Sequence, residues 1–301
     1  MYVFIINPTS GKGAALKIWR DIESTLLARK IHYEAHICVS PELTRTYMME
    51  IYSSQSIKAF VVVGGDGTVS SVLQQLAVWN IPLAVFPAGS GNDVARNFGL
   101  VAEPEQFVEL LAADEKILAD LLYVNGTYGI TVAGIGMDAE IGIRADRSFY
   151  KRLLNKFNRG SVAYTISAII ELLIFKPFRG RIFVDGSLIL QTDLWLFAGG
   201  NLKMYGGGLT ICPYADYSDG LIDATILHNA KRWKVLSRLF PDLLKGEPII
   251  AKEVTYLKGK EFIIEGNRKL PYVIDGEIFH ADRIHLSIRT KALNLVDTSK
   301  S

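Results

Sequence analysis

The sequence predicts an α/β fold in two domains: an N-terminal open parallel sheet with helices on both faces, then a C-terminal, mostly antiparallel β-sandwich. Three observations predict it. β-rich runs alternate with helical patterns up to about residue 122, and Asn-Gly and Asp-Gly pairs interrupt β-rich runs beyond it. A chain of 301 residues, 49% hydrophobic and 21% charged, is long enough for two cores. The expected domains are 1–122 and 123–286, with a closing stretch, 287–301, packing back on the first.

Taken in order, YVFII opens as a strand and a helix follows over 14–29. HYEAHICV is a second strand, 43–53 a helix and AFVVVGG a third strand. A helix follows Thr68, and PLAVFPAG is a fourth strand. Strands separated by helices of this length pair in parallel and bury both faces, which directs ligands to the carboxyl ends of the strands. Further on, YVNGTYGI, IFVDGSLIL and YVIDGEIF each set Asn-Gly or Asp-Gly between β-rich flanks, a strong hairpin signal. Within this second part 161–175 is apolar enough for a helix, and KRWKVLSRLFPDLLKG reads as an amphipathic helix ended by Gly246.

Several classes are excluded. MYVFIINPTSGKG has no basic segment ahead of its short apolar run, so it reads as a strand and not as a signal peptide. The longest apolar stretch, 162–175, contains Glu171 and falls short of the roughly 18–20 residues that span a bilayer. Cys38 and Cys212 form neither a disulfide framework nor a CxxC site, which suits a reducing compartment. The expectation is a cytoplasmic protein whose membrane contact, where it has one, is peripheral on the inner face. A net charge of +2 is too small to argue for nucleic acid. Locally, 144–181 carries nine Lys/Arg against two acids, with Phe149, Tyr150 and Phe157 interleaved. That stretch reads equally as a solvated helix face or as an attractor for an anionic membrane surface. Composition leaves the oligomeric state open, a homodimer included.

Three Gly-rich turns follow predicted strands. Asn7, Pro8, Thr9, Ser10, Gly11, Lys12 and Gly13 follow the first; Gly64, Gly65, Asp66, Gly67 and Thr68 the third; Gly89, Ser90, Gly91, Asn92 and Asp93 the fourth. One such turn is ordinary strand-to-helix punctuation. Three at one sheet edge point to a phosphate site, because glycine lets the backbone approach closely and helix N-termini offer amides to an anion. Neither G-x-x-x-x-G-K-[ST] nor G-x-G-x-x-G occurs, which disfavours P-loop and dinucleotide-binding enzymes. Acids inside anion-binding turns, at Asp66 and Asp93, call for an intervening cation, hence a Mg²⁺–nucleotide with Lys12 adding positive charge.

In this order and spacing NPTSGKG, GGDGT and PAGSGND resemble the catalytic domain shared by diacylglycerol kinases, sphingosine kinases and bacterial lipid kinases. GGDG alone also occurs in NAD kinases and phosphofructokinases. The resemblance covers nearly the whole chain and implies transfer of the γ-phosphoryl of Mg-ATP to a hydroxyl of a membrane lipid, diacylglycerol first. It implies that Asn7 through Lys12, Gly65, Asp66, Gly67, Thr68 and Ser90 surround the ATP phosphates, with Asp66 tied to the catalytic metal. Asp93 and Asp120 would complete an acidic, water-linked network, and Ser40 would replace a nucleotide-contacting Thr. Asp216, Asp219 and the Leu221 carbonyl, in CPYADYSDGLID, match a second, structural Mg²⁺ site. The resemblance assigns the general base to Glu277; Asp275-Gly276 before it needs no catalytic explanation, because Asp185-Gly186 makes the same hairpin turn with no acid following.

The pattern departs from the family after GGDGT, where Val69-Ser70-Ser71 replaces a residue followed by Asn-Glu. Weaker activity or an altered nucleotide preference is the expected consequence. Two other readings stand beside the lipid kinase: a kinase of NAD-kinase type with a soluble acceptor, and a non-catalytic nucleotide- or lipid-binding protein.

Overall fold

The first strand, β1 (Tyr2–Ile6), is buried at all five positions, so it needs cover on both faces. The computed structural model, which describes residues 1–54, 56–147 and 169–299, supplies that cover. The chain divides into two units, Met1–Leu121 with Arg289–Ser301, and Leu122–Ile288.

In the first unit β1, β2 (Tyr33–Ile37), β3 (Ala59–Gly64) and β4 (Leu83–Pro87) pair in parallel in the order β2-β1-β3-β4. The end of the last strand, β15 (Glu277–Val296), joins β4 in parallel at Leu295. One sheet face presents Tyr2, Phe4, Val61 and Phe86 to α1 (Ala14–Ala28) and α5 (Pro104–Ala113). On α1 the buried positions Ala15, Trp19, Ile22 and Leu26 recur every three to four residues, the spacing of one helix face. The other sheet face buries Val3, Ile5, Phe60 and Val62; α2 (Pro41–Ser54) and α3 (Asp66–Trp79), which pack on each other, lie on that side, with Trp79 against Phe60. A short helix, α4 (Asp93–Phe98), follows β4. The chain's end is bound into this unit: the Val101 amide donates to the Thr298 carbonyl at 2.8 Å.

The second unit is antiparallel. It contains β6 (Thr127–Gly129), β7 (Val132–Gly136), β8 (Phe178–Val184), β9 (Ser187–Gly200), β12 (Ile222–His228), β13 (Val254–Gly259), β14 (Glu261–Ile274) and the first part of β15, with β10 (Met204–Tyr205) and β11 (Leu209–Thr210) as a separate two-stranded ribbon. On one edge the long strands β9 and β14 each pair with β8 along one part and β7 along another; on the other edge β9 pairs with β12 and β14 with β15. The three Asx-Gly pairs are hairpin turns as predicted. Asn125, Asp185 and Asp275 have φ of 46–47°, and the glycine after each has φ between 81° and 95°, the backbone that twisted two-residue turns require. The strand β5 (Lys116–Val124) and β15 each run across the division between the units.

The predicted amphipathic helix near Lys231 is helical over 232–244, but its middle turn, Val235–Leu239, is π-helical. Pro241 accounts for this: its ring has no N–H and crowds the carbonyl four residues back, so the turn before it widens. Of the predicted helix at 161–175, residues 169–174 are helical and 161–168 lie outside the described residues. Most of the basic stretch also lies outside them. Of its described members, Arg144 pairs with Glu171 at 2.6 Å and Arg181 with Glu265 at 2.7 Å. Among the described residues no helix is long and apolar enough to cross a membrane. Both cysteines are free and buried, and burial raises both thiols above their ordinary pKa.

Candidate active site

The three Gly-rich turns meet. The Asn7 side chain donates to Thr68 Oγ1 at 3.0 Å, while its carbonyl oxygen Oδ1 accepts from the Thr9 amide and hydroxyl. An ideal Cβ on Gly11 would stand 2.6 Å from the Ala88 carbonyl oxygen, and one on Gly89 would stand 2.4 Å from the Gly65 Cα. These glycines are therefore contact points between turns, closer than any other residue permits. Asn92 closes the third turn, accepting from the Gly89 amide at 2.8 Å and donating to its carbonyl at 3.0 Å. Lys12 is exposed and holds φ of 60°, a left-handed backbone that costs a non-glycine residue about 1 kcal/mol or more.

The two acids of the turns face a common gap. Asp66 Oδ1 accepts the Val94 amide at the start of α4, at 3.1 Å. An ideal Cβ on Gly91 would lie 2.9 Å from Asp66 Oδ2 and 3.7 Å from Asp93 Oδ2. The missing side chain at Gly91 thus keeps open a space bordered by two carboxylate oxygens. A Mg²⁺ ion in a nucleotide site commonly uses one or two carboxylates and completes its shell with phosphate oxygens and water, and this donor set fits that use. Asp93 is buried and pairs with Arg96 at 3.0 Å. Beside the gap, Gly67 has open space where a Cβ would be, in the first turn of α3, where Thr68 and Val69 donate back to the Gly65 carbonyl. Ser90 is exposed at the tip of the third turn.

Other predicted residues have separate partners. Asp120, buried in β5, accepts the Lys291 amide at 2.7 Å. Ser40 precedes α2, and its hydroxyl accepts the Leu43 amide at 3.3 Å. Ser70 and Ser71, in the positions of the expected Asn-Glu, are buried in α3; the Ser71 hydroxyl donates to the Thr68 carbonyl at 2.7 Å.

In the second unit, Asp275 is engaged by the Ile130 amide at 2.7 Å and by the Thr131 amide and hydroxyl. Asp185 and Asn125 do the same for the amides of Lys260 and His285. The Asp275-Gly276 turn has its own structural reason, and Glu277 follows it exposed, at the head of β15. In the 216–221 loop the Ser218 hydroxyl and amide hold the Asp216 carboxyl below its usual range. Asp219 Oδ1 accepts the Leu221 amide at 3.0 Å. Its Oδ2, like that of Asp223, stands 3.2 Å from Lys258 Nζ. Among the described residues no three or more of His, Cys, Asp and Glu are gathered for a metal.

Sequence reasoning missed an apolar cavity inside this unit. Leu196, Ile211, Leu227, Leu239, Leu243 and Tyr256 are among its walls. At one point of the lining the buried carboxylate of Asp138 accepts the Tyr205 hydroxyl. The signal for Asp138 was an acid two residues beyond the apolar strand VAGIG, after Met137.

Residues 1–124 match the family described as diacylglycerol kinase catalytic domain, and 131–297 match the YegS C-terminal NAD kinase beta sandwich-like domain. The chain is 35% identical over 267 residues to a diacylglycerol kinase of Mycobacterium tuberculosis (strain ATCC 25618 / H37Rv), covering 87% of this chain and 84% of that protein. The chain belongs to the diacylglycerol kinase catalytic domain family. This lipid kinase is an enzyme with an alcohol acceptor. Its fold is that of a diacylglycerol kinase crystal structure from Bacillus anthracis str. Sterne, with a TM-score of 0.74, 20% identity and coverage of 98% of this chain and 96% of that one. An NAD kinase from Archaeoglobus fulgidus, solved in complex with ATP, shares the kinase's fold more distantly, with a TM-score of 0.53 and 15% identity over 98% of this chain and 93% of that one.

Proposed function

We propose that this kinase transfers the γ-phosphoryl group of ATP to the free hydroxyl of diacylglycerol, giving phosphatidic acid and ADP. The observation that carries the reading is the gap beside Gly91, bordered by oxygens of Asp66 and Asp93 where three Gly-rich turns meet. Bound there through Asp66, Mg²⁺ would neutralise phosphate charge as it builds in the transition state. The turn residues Asn7 through Lys12, Gly64 through Thr68 and Gly89 through Asn92 hold the nucleotide, by backbone amides and by the Lys12 ammonium. Asp93 and Asp120 steady the acidic surroundings. Glu277 accepts the proton of the lipid hydroxyl as its oxygen bonds to the γ-phosphorus and the bond to the β,γ-bridging oxygen breaks.

The acceptor class is supported by the apolar cavity of the second unit, whose walls suit an acyl chain and offer little to a hydrophilic acceptor. A second Mg²⁺ at Asp216, Asp219 and the Leu221 carbonyl would share Asp219 with the Lys258 ammonium. Ser40, already capping α2, is the proposed contact beyond the second strand.

The test is transfer of labelled γ-phosphate from Mg-ATP to diacylglycerol in mixed micelles. Asp66→Ala and Glu277→Ala are expected to abolish labelling with the fold intact. Gly91→Ala, which fills the gap, is expected to lower kcat/KM on the order of 100-fold, as misplacement by about 1 Å does. Near-normal labelling by a folded Asp66→Ala or Glu277→Ala protein rules the assignment out.

A further inference from the structure

The segment 231–252 borders the apolar cavity on one side and water on the other. Leu243 and Ile249 line the cavity, whereas their immediate neighbours Leu244 and Ile250 are 60% and 94% exposed. The exposed Glu247 also lines the cavity, which sets a mouth on this segment. At the other end of the helical run, Trp233 is 66% exposed. Three large apolar side chains in water along one short segment mark an interaction surface. Its charge says which kind. Two cations are used internally: Arg232 donates to the Leu172 and Phe175 carbonyls, and Lys234 pairs with Glu253 at 2.7 Å. Lys231, Arg238, Lys245 and Lys252 are exposed, and Arg238 and Lys245 share the single acid Asp242.

We propose that this segment is the face by which the kinase seats on an anionic bilayer. Trp233, Leu244 and Ile250 enter the headgroup–acyl boundary, the exposed cations meet lipid phosphates, and the cavity mouth lies against the leaflet from which the lipid comes. Tryptophan favours that boundary because its ring is apolar and its N–H is not. The inference rests on the lipid-kinase reading for its cavity, and its test separates the two.

The full-length protein is sedimented with phosphatidylcholine vesicles, with and without phosphatidylglycerol, and tryptophan emission is recorded. Sedimentation with the anionic vesicles at low salt is expected, with a blue shift that Trp233→Phe removes. The double variant Leu244→Ser/Ile250→Ser is expected to lose vesicle affinity by about tenfold or more, since each buried aliphatic side chain contributes about that much. Its kcat/KM on a short-chain, monomeric diacylglycerol stays at the wild-type value, while phosphorylation of vesicle-embedded diacylglycerol falls with affinity. Wild-type vesicle binding by the double variant, or an equal loss on both substrates, overturns the proposal. So does self-association that the double variant abolishes in the absence of vesicle binding, which assigns the face to a second copy. Should no lipid be phosphorylated while the double variant still loses vesicle binding, the diacylglycerol reading falls and the surface stands.

Discussion

Asp223 lies buried on β12 with its carboxylate 3.2 Å from Lys258 Nζ. Burial pushes it up to about 6 against the pull of that ammonium. An unfolded aspartate titrates near 4, so the folded protein holds this proton more tightly. The stability it lends is therefore fully present below about pH 4, declines as pH rises to about 6, and is gone above. In Asp223→Asn this decline is expected to vanish: the difference in urea midpoint between wild type and variant should drift through that window and level off at neutral pH. A difference that is flat throughout would refute the sign. Asp66 and Asp93 were legible in the sequence because each sits inside a contiguous motif with its glycines. Asp138 and Tyr205, 67 residues apart, were not legible. Neither was the pairing of Asp223 with Lys258, because folding alone brings these side chains together. Glu277 drew its proposed role entirely from resemblance, since Asp275 and Gly276 are accounted for by turn geometry and by the amides of Ile130 and Thr131.

At the scale of elements, the alternation of strands and helices in the first unit and the Asx-Gly hairpins in the second were readable because each depends on residues next to one another. The turn at Gly186 isolates that local contribution. Its φ is +81°, and an added Cβ meets nothing within 4 Å. Gly186→Ala is therefore expected to cost about 1–2 kcal/mol through backbone strain alone, read as a lower urea midpoint with an unchanged m-value. No measurable loss would mean that the hairpin tolerates another turn type. The helical run at 232–244 was read as a single amphipathic helix, and its π turn was missed. Pro241 gave the warning, but where a widened turn falls depends on how Val235 and Leu239 pack into the core. The cavity escaped for a related reason: its walls are apolar residues from α6 (Met137–Arg147), β9, β12 and the 232–249 region, and no spacing within any of these announces a space between them.

On the scale of the whole molecule, the first unit is built from both ends of the chain. Leu293, Leu295 and Val296 are buried in it, and Thr298 is fully buried behind them. Fully burying an aliphatic side chain contributes about 1.5–3 kcal/mol, so three amount to a large part of the 5–15 kcal/mol that holds a domain together. A chain ending at Ile288 is expected to lose the first unit to limited trypsin digestion while a fragment of the second survives. Equal persistence of both would sink that claim. The route of the chain also has a meaning during biosynthesis. The ribosome makes residues 1–121 first, yet the strand that completes their sheet emerges last, after the 167 residues of the second unit. At about 5–20 residues per second that is a wait on the order of 10–30 s. Through that interval the first unit is a nascent chain with an unpaired sheet edge, a natural client for chaperones.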